Sequence, residues 1–297
     1  MISIVIPTHK RNTKLVDLLN SLKIQNNDFE VIVVNNNTQK LDINDFEKHI
    51  KIIDMGHNSG IAKARSEGAK VASSEYILFI DDDNIIEPES VFKLKDHLQN
   101  NDQVVAVGPK TFYLGDKNKV WFIGLKVNLY TSKHKFVYNE NELKGIALNL
   151  VETDNLHNCF MVKKSYGNKV SWFDEKVFVS GTELDFFLKL KKQFPSLKLA
   201  TAVDCTDYHN IEQSSQDYLR NLGFSMIERV YYLQRNRGLI TGRYGSLIQK
   251  ITMAFSYPFF LILYGIIFIK FKRFDYLKSH LKATLDGYFL LFSLKKL

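Results

Sequence analysis

Three consecutive carboxylates, Asp81-Asp82-Asp83, follow directly on the apolar run Tyr76–Ile80 (YILFI). Adjacent carboxylates repel one another, and desolvation at the end of a buried strand raises their pKa values further. A divalent cation relieves both costs, because hard metals take oxygen ligands while still bridging to phosphates. A solvated acidic turn is the plainer alternative; the apolar strand before the triplet favours the metal. His57-Asn58-Ser59-Gly60-Ile61-Ala62-Lys63-Ala64-Arg65 reads as a turn feeding a helix. Gly60 permits close backbone approach and Arg65 lies one turn in, so the helix start and the guanidinium can hold an anion. Taken alone, the segment reads as readily as a loop with an exposed arginine. Thr182-Glu183-Leu184-Asp185 opens a further helix. With Thr182 as N-cap, Asp185 falls at N3, where an acid returns a hydrogen bond to the cap. Glu183, at N1, has no such task and can project towards a substrate as a proton acceptor.

The elements that must position these groups alternate in type. Ile2–Pro7, Glu30–Asn35, Lys51–Met55 and Tyr76–Ile80 read as strands, and Lys14–Gln25 and Ile61–Ala72 as helices between them. Leu15, Leu18, Leu19 and Leu22 share one helix face. Strands separated by helices imply βαβ units and a parallel sheet. Ligands of open parallel sheets sit beyond the carboxyl ends of the strands. The polar clusters Thr8–Asn12, Asn35–Thr38, His57–Gly60 and Asp81–Asn84 all fall there. Val104 to about Val162 reads as mixed short strands, Thr182–Gln193 as a helix and Leu197–Val203 as a strand.

The 297 residues carry 45% apolar and 24% charged side chains, enough for a sizeable core and too ordered a composition for wholesale disorder. Two cysteines, Cys159 and Cys205, form neither a metal pattern nor a disulfide framework, which suits a reducing compartment. Met1 runs straight into an apolar strand without a basic stretch, so no signal peptide is expected. The net charge of +8 is unevenly spread. From Arg220 to Leu297 there are 13 Lys and Arg against 3 Asp and Glu, leaving 27 against 29 in the first 219 residues. Period and charge balance both shift near residue 214, which divides the chain into 1–213 and a helical module, 214–297. Ile251–Ile269 has no charge and reaches spanning length, but Lys250 precedes it and Lys270, Lys272 and Arg273 follow. Basic flanks at both ends run against a single span, and Pro258 is expected to break the helix. Helices lying on an anionic membrane surface fit better, with a homodimer interface or a plain helical core as the competing readings. Nucleic acid is an unsuitable partner, because the charges flank apolar helices instead of lining a polar surface.

The ordered set IVIPTHKR, EVIVVNNNT, NSGIAKAR, ILFIDDD and GTELDFFLKL resembles glycosyltransferase family 2, over about residues 1–210. The tail, with YYLQRNRG at Tyr231–Gly238, is similar to the rhamnosyltransferase-like branch of that family. The resemblance implies an α/β fold of the nucleotide-diphospho-sugar transferase (GT-A) type, a mostly parallel Rossmann-like sheet with flanking helices, here followed by a C-terminal helical module. It implies that Pro7, Thr8 and Arg11 line the nucleotide, with Asn58 and Arg65 near the sugar nucleotide. Asn35 stands where the family usually has an aspartate that accepts from a pyrimidine base. Asp81, Asp82 and Asp83 match the family's acidic motif, Asp81 towards ribose or metal and Asp83 as a metal ligand, and His209 matches a histidine near metal and diphosphate. Glu183 falls on the second position of an acidic pair whose first position is Thr182 here; Glu183 and Asp185 are the two candidate bases. The function so implied is an inverting, Mn²⁺- or Mg²⁺-dependent transfer of sugar from a UDP- or dTDP-sugar to a lipid-linked or cell-envelope glycan. The expected location is cytoplasmic, peripheral on the inner face of the cell membrane. A sugar nucleotidyltransferase would want a glycine-rich phosphate loop, and residues 1–20 contain no glycine. The departures at Asn35 and Thr182 leave a membrane-docked glycan- or nucleotide-sugar-binding pseudoenzyme as the alternative.

Overall fold

The computed structural model describes residues 1–23, 29–43, 46, 50–211 and 218–293. The expected end of the first helix at Gln25 and the boundary expected near residue 214 lie outside the described residues. The elements run β1 (Ile2–Thr8), α1 (Asn12–Leu22), β2 (Phe29–Asn35), β3 (Ile50–Asp54), α2 (Ile61–Val71), β4 (Tyr76–Ile80), β5 (Asn84–Ile86) and α3 (Pro88–Asn100). Seven strands and a short helix follow: β6 (Val104–Tyr113), β7 (Asp116–Phe122), β8 (Gly124–Asn128), β9 (Lys133–Val137), β10 (Gly145–Ala147), β11 (Leu150–Thr153), β12 (Cys159–Lys163) and α4 (Lys164–Lys169). Then come α5 (Thr182–Gln193), β13 (Lys198–His209), α6 (Tyr218–Asn221), α7 (Ile227–Tyr244), α8 (Leu247–Lys270) and α9 (Phe274–Phe292).

The chain divides into two compact units. The first comprises Met1–Lys126, Phe136–Glu175 and Glu183–Glu212; the second comprises Val127–Lys135, Lys176–Thr182 and Gln213–Leu297. The second unit therefore takes two short segments from within the first 213 residues.

In the first unit an 11-stranded sheet runs β10-β11-β13-β6-β12-β4-β1-β2-β3, with β5 on β13 and β7 on β6. Its β4-β1-β2-β3 part is parallel throughout, as the βαβ reading requires. β13 also runs parallel to β6, while β12 joins β4 and β6 antiparallel. Every residue of β1 is buried, because helices cover both faces of the sheet. Ile2, Ile4 and Ile6 pack with Leu15, Leu18, Leu19 and Leu22 of α1 on one side, and Val5 packs with Ala62, Ala64 and Ala69 of α2 on the other. Gly68 lets α2 approach closely, since a Cβ there would lie 2.3 Å from Val5 Cγ1. β13 is longer than the expected Leu197–Val203. Its register shifts between Ala202 and Thr206, the polar residues Asp204, Thr206 and Asp207 interrupt the apolar run, and the strand continues to His209.

In the second unit α7 and α9 pack backbone to backbone: a Cβ on Gly238 would lie 2.0 Å from the Gly287 carbonyl oxygen. Asn236 donates to the Ser180 carbonyl at 2.7 Å and Arg235 to that of Lys176 at 2.7 Å, which ties segment 176–182 to α7. α8 opens on a capping box of Ser246 and Gln249 and continues through Pro258, where a break was expected. A proline removes one helical hydrogen bond, and the buried neighbours Tyr257 and Phe260 hold the helix across that gap. α8 is the one helix among the described residues long and apolar enough to cross a membrane. Phe255, Phe259, Ile262 and Ile266 of α8, and Leu285 and Phe289 of α9, are exposed.

Candidate active site

The chain fills β1, β2 and β3 outward in one direction and then places β4 on the other side of β1. That reversal opens a crevice at the carboxyl ends of β1 and β4, the place where open α/β sheets take ligands. Thr8 ends β1 and Asp81 follows β4, so the loop after Thr8 and the acidic triplet face each other across it. Thr8 Oγ1 donates to Asp82 Oδ2 at 2.6 Å, and Arg11 Nη1 donates to Asp82 Oδ1 at 3.1 Å and to Asp83 Oδ2 at 2.6 Å. Pro7 is buried in β1 beside Val34.

His209, the last residue of β13, pairs with Asn84 and brings its Nε2 to 3.4 Å from Asp83 Oδ1. Its ring stands edge-on to Trp121 at 4.4 Å, and its Nδ1 is buried without a hydrogen-bond partner among the described residues. Burial pushes the Asp83 carboxyl up, but the His209 and Arg11 beside it outweigh that and hold it below the usual range. Asp82 is raised by burial, only partly offset by Thr8 and Arg11. Asp81 is raised to about 6 by burial, with the Asp83 and Glu183 carboxylates adding to the push and Arg65 opposing it.

Arg65 lies elsewhere than an exposed phosphate ligand would. The small residues of α2 carry it into the interior, where it is fully buried. Its Nη2 donates to Asp81 Oδ1 at 2.7 Å and its Nη1 to Glu183 Oε1 at 2.6 Å. The guanidinium lies 5.6 Å from the ring centres of both Phe160 and Phe173. Burial pushes the Glu183 carboxyl up, yet the Arg65 charge overcomes this and holds it down at about 2. Asp185 is wholly buried in the first turns of α5. α5 starts at Thr182, after Gly181 at φ 84°, so Asp185 sits one position deeper than a Thr182 cap predicts.

Asn35 ends β2 and is 1% exposed. Its Nδ2 donates to Asp54 Oδ1 at 2.7 Å and to the Gln39 carbonyl at 2.8 Å. Asn58 builds the turn before α2: its Oδ1 accepts from the Gly60 N–H and from Asn36 Nδ2, both at 3.1 Å.

Sequence reasoning missed three features here. A buried network runs from Asn158 to Asn84 at 2.9 Å and from Asn84 to Asp207 at 2.6 Å, with Thr111 donating to Asp207 at 3.2 Å. Burial raises the Asp207 carboxyl to about 7. The signal was available, because Asp207 and His209 at spacing two share a strand face. Second, an aromatic shelf of Trp121, Phe122, Phe136 and His157 leads away from His209. Third, among the described residues the one trio of ligating side chains within 4.8 Å of one another is His97, Asp204 and Cys205, outside the crevice. Asp81, Asp83 and His209 are not gathered so tightly; Arg65 and Arg11 hold the two carboxylates instead.

Residues 3–169 match the family described as "Glycosyl transferase family 2". The chain is 27% identical to dTDP-rhamnosyl transferase RfbF of Shigella flexneri, over 95% of this chain and 94% of the relative. Among solved structures, GalNAc-T7 with UDP, GalNAc and Mn²⁺ matches with a TM-score of 0.65 at 13% identity, over 86% of this chain and 50% of that one. S. aureus TarS 1–349 in complex with UDP-GlcNAc matches with a TM-score of 0.56 at 18% identity, over 85% of this chain and 70% of that one. Both share the GT-A-like fold expected from the sequence.

Proposed function

The chain belongs to glycosyltransferase family 2 and takes its sugar from a nucleotide-sugar donor; from that premise we propose one inverting displacement onto a hydroxyl of a lipid-linked or cell-envelope glycan. The observation that carries this reading is the Arg65 guanidinium. Its two Nη groups join Asp81, on the donor edge, to Glu183, the proposed base, at 2.7 and 2.6 Å. One planar fork thus keeps both sides of an in-line displacement in register. Glu183 takes the acceptor proton in preference to Asp185, because Asp185 is wholly buried and the Glu183 side chain keeps 16% exposure. Held down by the Arg65 charge, Glu183 is a weak base. The negative diphosphate of a bound donor offsets the Arg65 field and raises the carboxyl towards useful basicity.

Asp81, Asp83 and His209 suit Mn²⁺ or Mg²⁺: the carboxylates offer hard oxygens, and His209 turns its Nε2 towards them, 3.4 Å from Asp83 Oδ1. Bound by these residues, the cation supplies positive charge for the departing nucleoside diphosphate. Thr8 and Arg11 hold Asp82 in place at the same edge. The rhamnosyl relative supports a dTDP-sugar donor. The exposed side chains of Phe136 and Tyr138, stacked 6.4 Å apart at the end of the aromatic shelf, support a glycan acceptor, since the apolar faces of sugar rings pack on aromatic side chains.

For the helical unit we propose docking on the cytoplasmic face of an anionic membrane. The exposed apolar side chains of α8 and α9, with Lys250, Lys270, Lys272 and Arg273 around them, support that reading. Vesicles containing anionic lipid recruit such a protein in a salt-sensitive way. Resistance to alkaline carbonate would mean a spanning helix, and dimers without vesicle binding would mean that the face meets a second copy. For the donor, a thermal-shift panel of UDP-, dTDP- and GDP-sugars with Mn²⁺, Mg²⁺ or EDTA is the test. A rise in Tm with UDP- or dTDP-sugars that EDTA abolishes is expected; no shift with any of them would overturn the donor and metal assignments.

A further inference from the structure

Thr8, Asn35 and Asp54 stand side by side at the carboxyl ends of β1, β2 and β3, paired across the parallel ladder as Thr8↔Asn35 and Asn35↔Asp54. Adjacent strands lie about 4.8 Å apart, so β2 is about two spacings from β4 and its carboxylates, the span of a ribose carrying a base. Asn35 is therefore where the base of a nucleotide falls if its diphosphate lies at Asp81–Asp83.

The hydrogen bonds of Asn35 fix which way its amide points. Asp54 and the Gln39 carbonyl offer oxygen acceptors, and both receive an Nδ2 proton, at 2.7 and 2.8 Å. An amide nitrogen has two protons, so both are spent. Turning the amide over would set Oδ1 against two acceptors. Oδ1 itself is buried and has no hydrogen-bond partner among the described residues, a costly condition for an acceptor.

We propose that Asp54 is a positioning residue for base selection. It locks the Asn35 amide so that only an acceptor, Oδ1, is offered to the nucleobase. Uracil and thymine carry a proton on ring N3 and satisfy that oxygen; cytosine presents an acceptor at N3 and repels it. The same contact explains why residue 35 is an amide. An aspartate there would bring two carboxylates and a carbonyl together with no proton between them, so the negative charge stands on β3 instead of β2. The inference rests on the nucleotide-donor reading above.

Calorimetric titration of the full chain with UDP, dTDP and CDP, each with Mn²⁺, tests it. Wild type should bind UDP and dTDP about tenfold more tightly than CDP, the worth of one hydrogen bond made against one refused. Asp54→Leu leaves an exposed position uncharged and should lower the UDP-to-CDP ratio at least about threefold, with inorganic pyrophosphate binding and Tm unchanged. Asn35→Asp should weaken UDP about tenfold, and adding Asp54→Asn, which returns a donor to face the new carboxylate, should recover most of that loss. Equal binding of CDP and UDP by wild type, or an Asp54→Leu ratio equal to wild type, would overturn the amide lock. If none of the three nucleotides binds, the donor reading falls and the lock with it.

Discussion

Arg65→Met removes the cation that joins Asp81 to Glu183 while keeping an unbranched apolar stem against Phe160 and Phe173. Two charge-assisted hydrogen bonds, at 2.6 and 2.7 Å, are lost from a fully buried guanidinium. Breaking a buried pair by deleting one partner costs about 3–5 kcal/mol. The lower end applies, because the Asp81 and Glu183 side chains keep 23% and 16% exposure and water can reach them. At about 2–4 °C per kcal/mol for a unit of this size, a loss of about 3 kcal/mol lowers Tm by about 6–12 °C. Arg65→Lys keeps the charge but cannot fork to two carboxylates, so it should lie between wild type and methionine. If Arg65 acts only through the two acids, donor affinity falls less than about tenfold, while transfer falls about 10²–10⁴-fold, the usual worth of a positioned base. Differential scanning calorimetry, nucleotide titration and a transfer assay on one set of samples separate these outcomes. An unchanged Tm together with a hundredfold loss of donor affinity would instead make Arg65 a direct ligand of the diphosphate.

Asp83→Asn should lose the metal-dependent part of nucleotide binding with the fold intact; equal binding with Mn²⁺ and with EDTA, at wild-type strength, would speak against the metal. Glu183→Gln should fold and bind donor but lose transfer about 10²–10⁴-fold, whereas Asp185→Asn should mainly lower Tm; the reverse pattern would exchange their roles. His280 is buried between α8 and α9 and is depressed to about 4 by burial. A histidine held neutral in the fold loses stability as the unfolded chain takes up protons, so the helical unit should weaken as pH falls from about 6.5 towards 4. The shift is worth at most about 3 kcal/mol. Thermal unfolding at pH 7.5, 6 and 5 should show this dependence in wild type and its loss in His280→Gln.

Much of the crevice was legible because parallel strands advertise themselves. β1, β2 and β4 are continuous apolar runs, each ending in polar residues, and the polar clusters after them converge as strand topology dictates. What the sequence left hidden are partnerships across the fold. The charge of Arg65 argues for solvent; only the small residues Ala62, Ala64, Gly68 and Ala69 around it signalled that this helix face lies tight on the sheet. Asp54 reads as an ordinary strand end until the β2–β3 register puts it beside Asn35. His209 was placed after a strand and lies within one, because the polar residues from Asp204 to Asp207 disguised the continuation of β13. Segment 176–182 joins the helical unit through hydrogen bonds to α7, an association that neither period nor charge announces.

In the proposed reaction Asp81, Asp83 and Glu183 surround one displacement at the anomeric carbon of a nucleotide sugar. Its most direct measurement is nucleoside diphosphate release from dTDP- and UDP-sugars by the purified full chain, with Mn²⁺, Mg²⁺ or EDTA, in wild type and Asp83→Asn. Slow, EDTA-sensitive release to water is expected in wild type and its loss in Asp83→Asn, with the freed sugar inverted at its anomeric carbon. Release that is indifferent to EDTA and to Asp83, or a sugar freed with retained configuration, would contradict it.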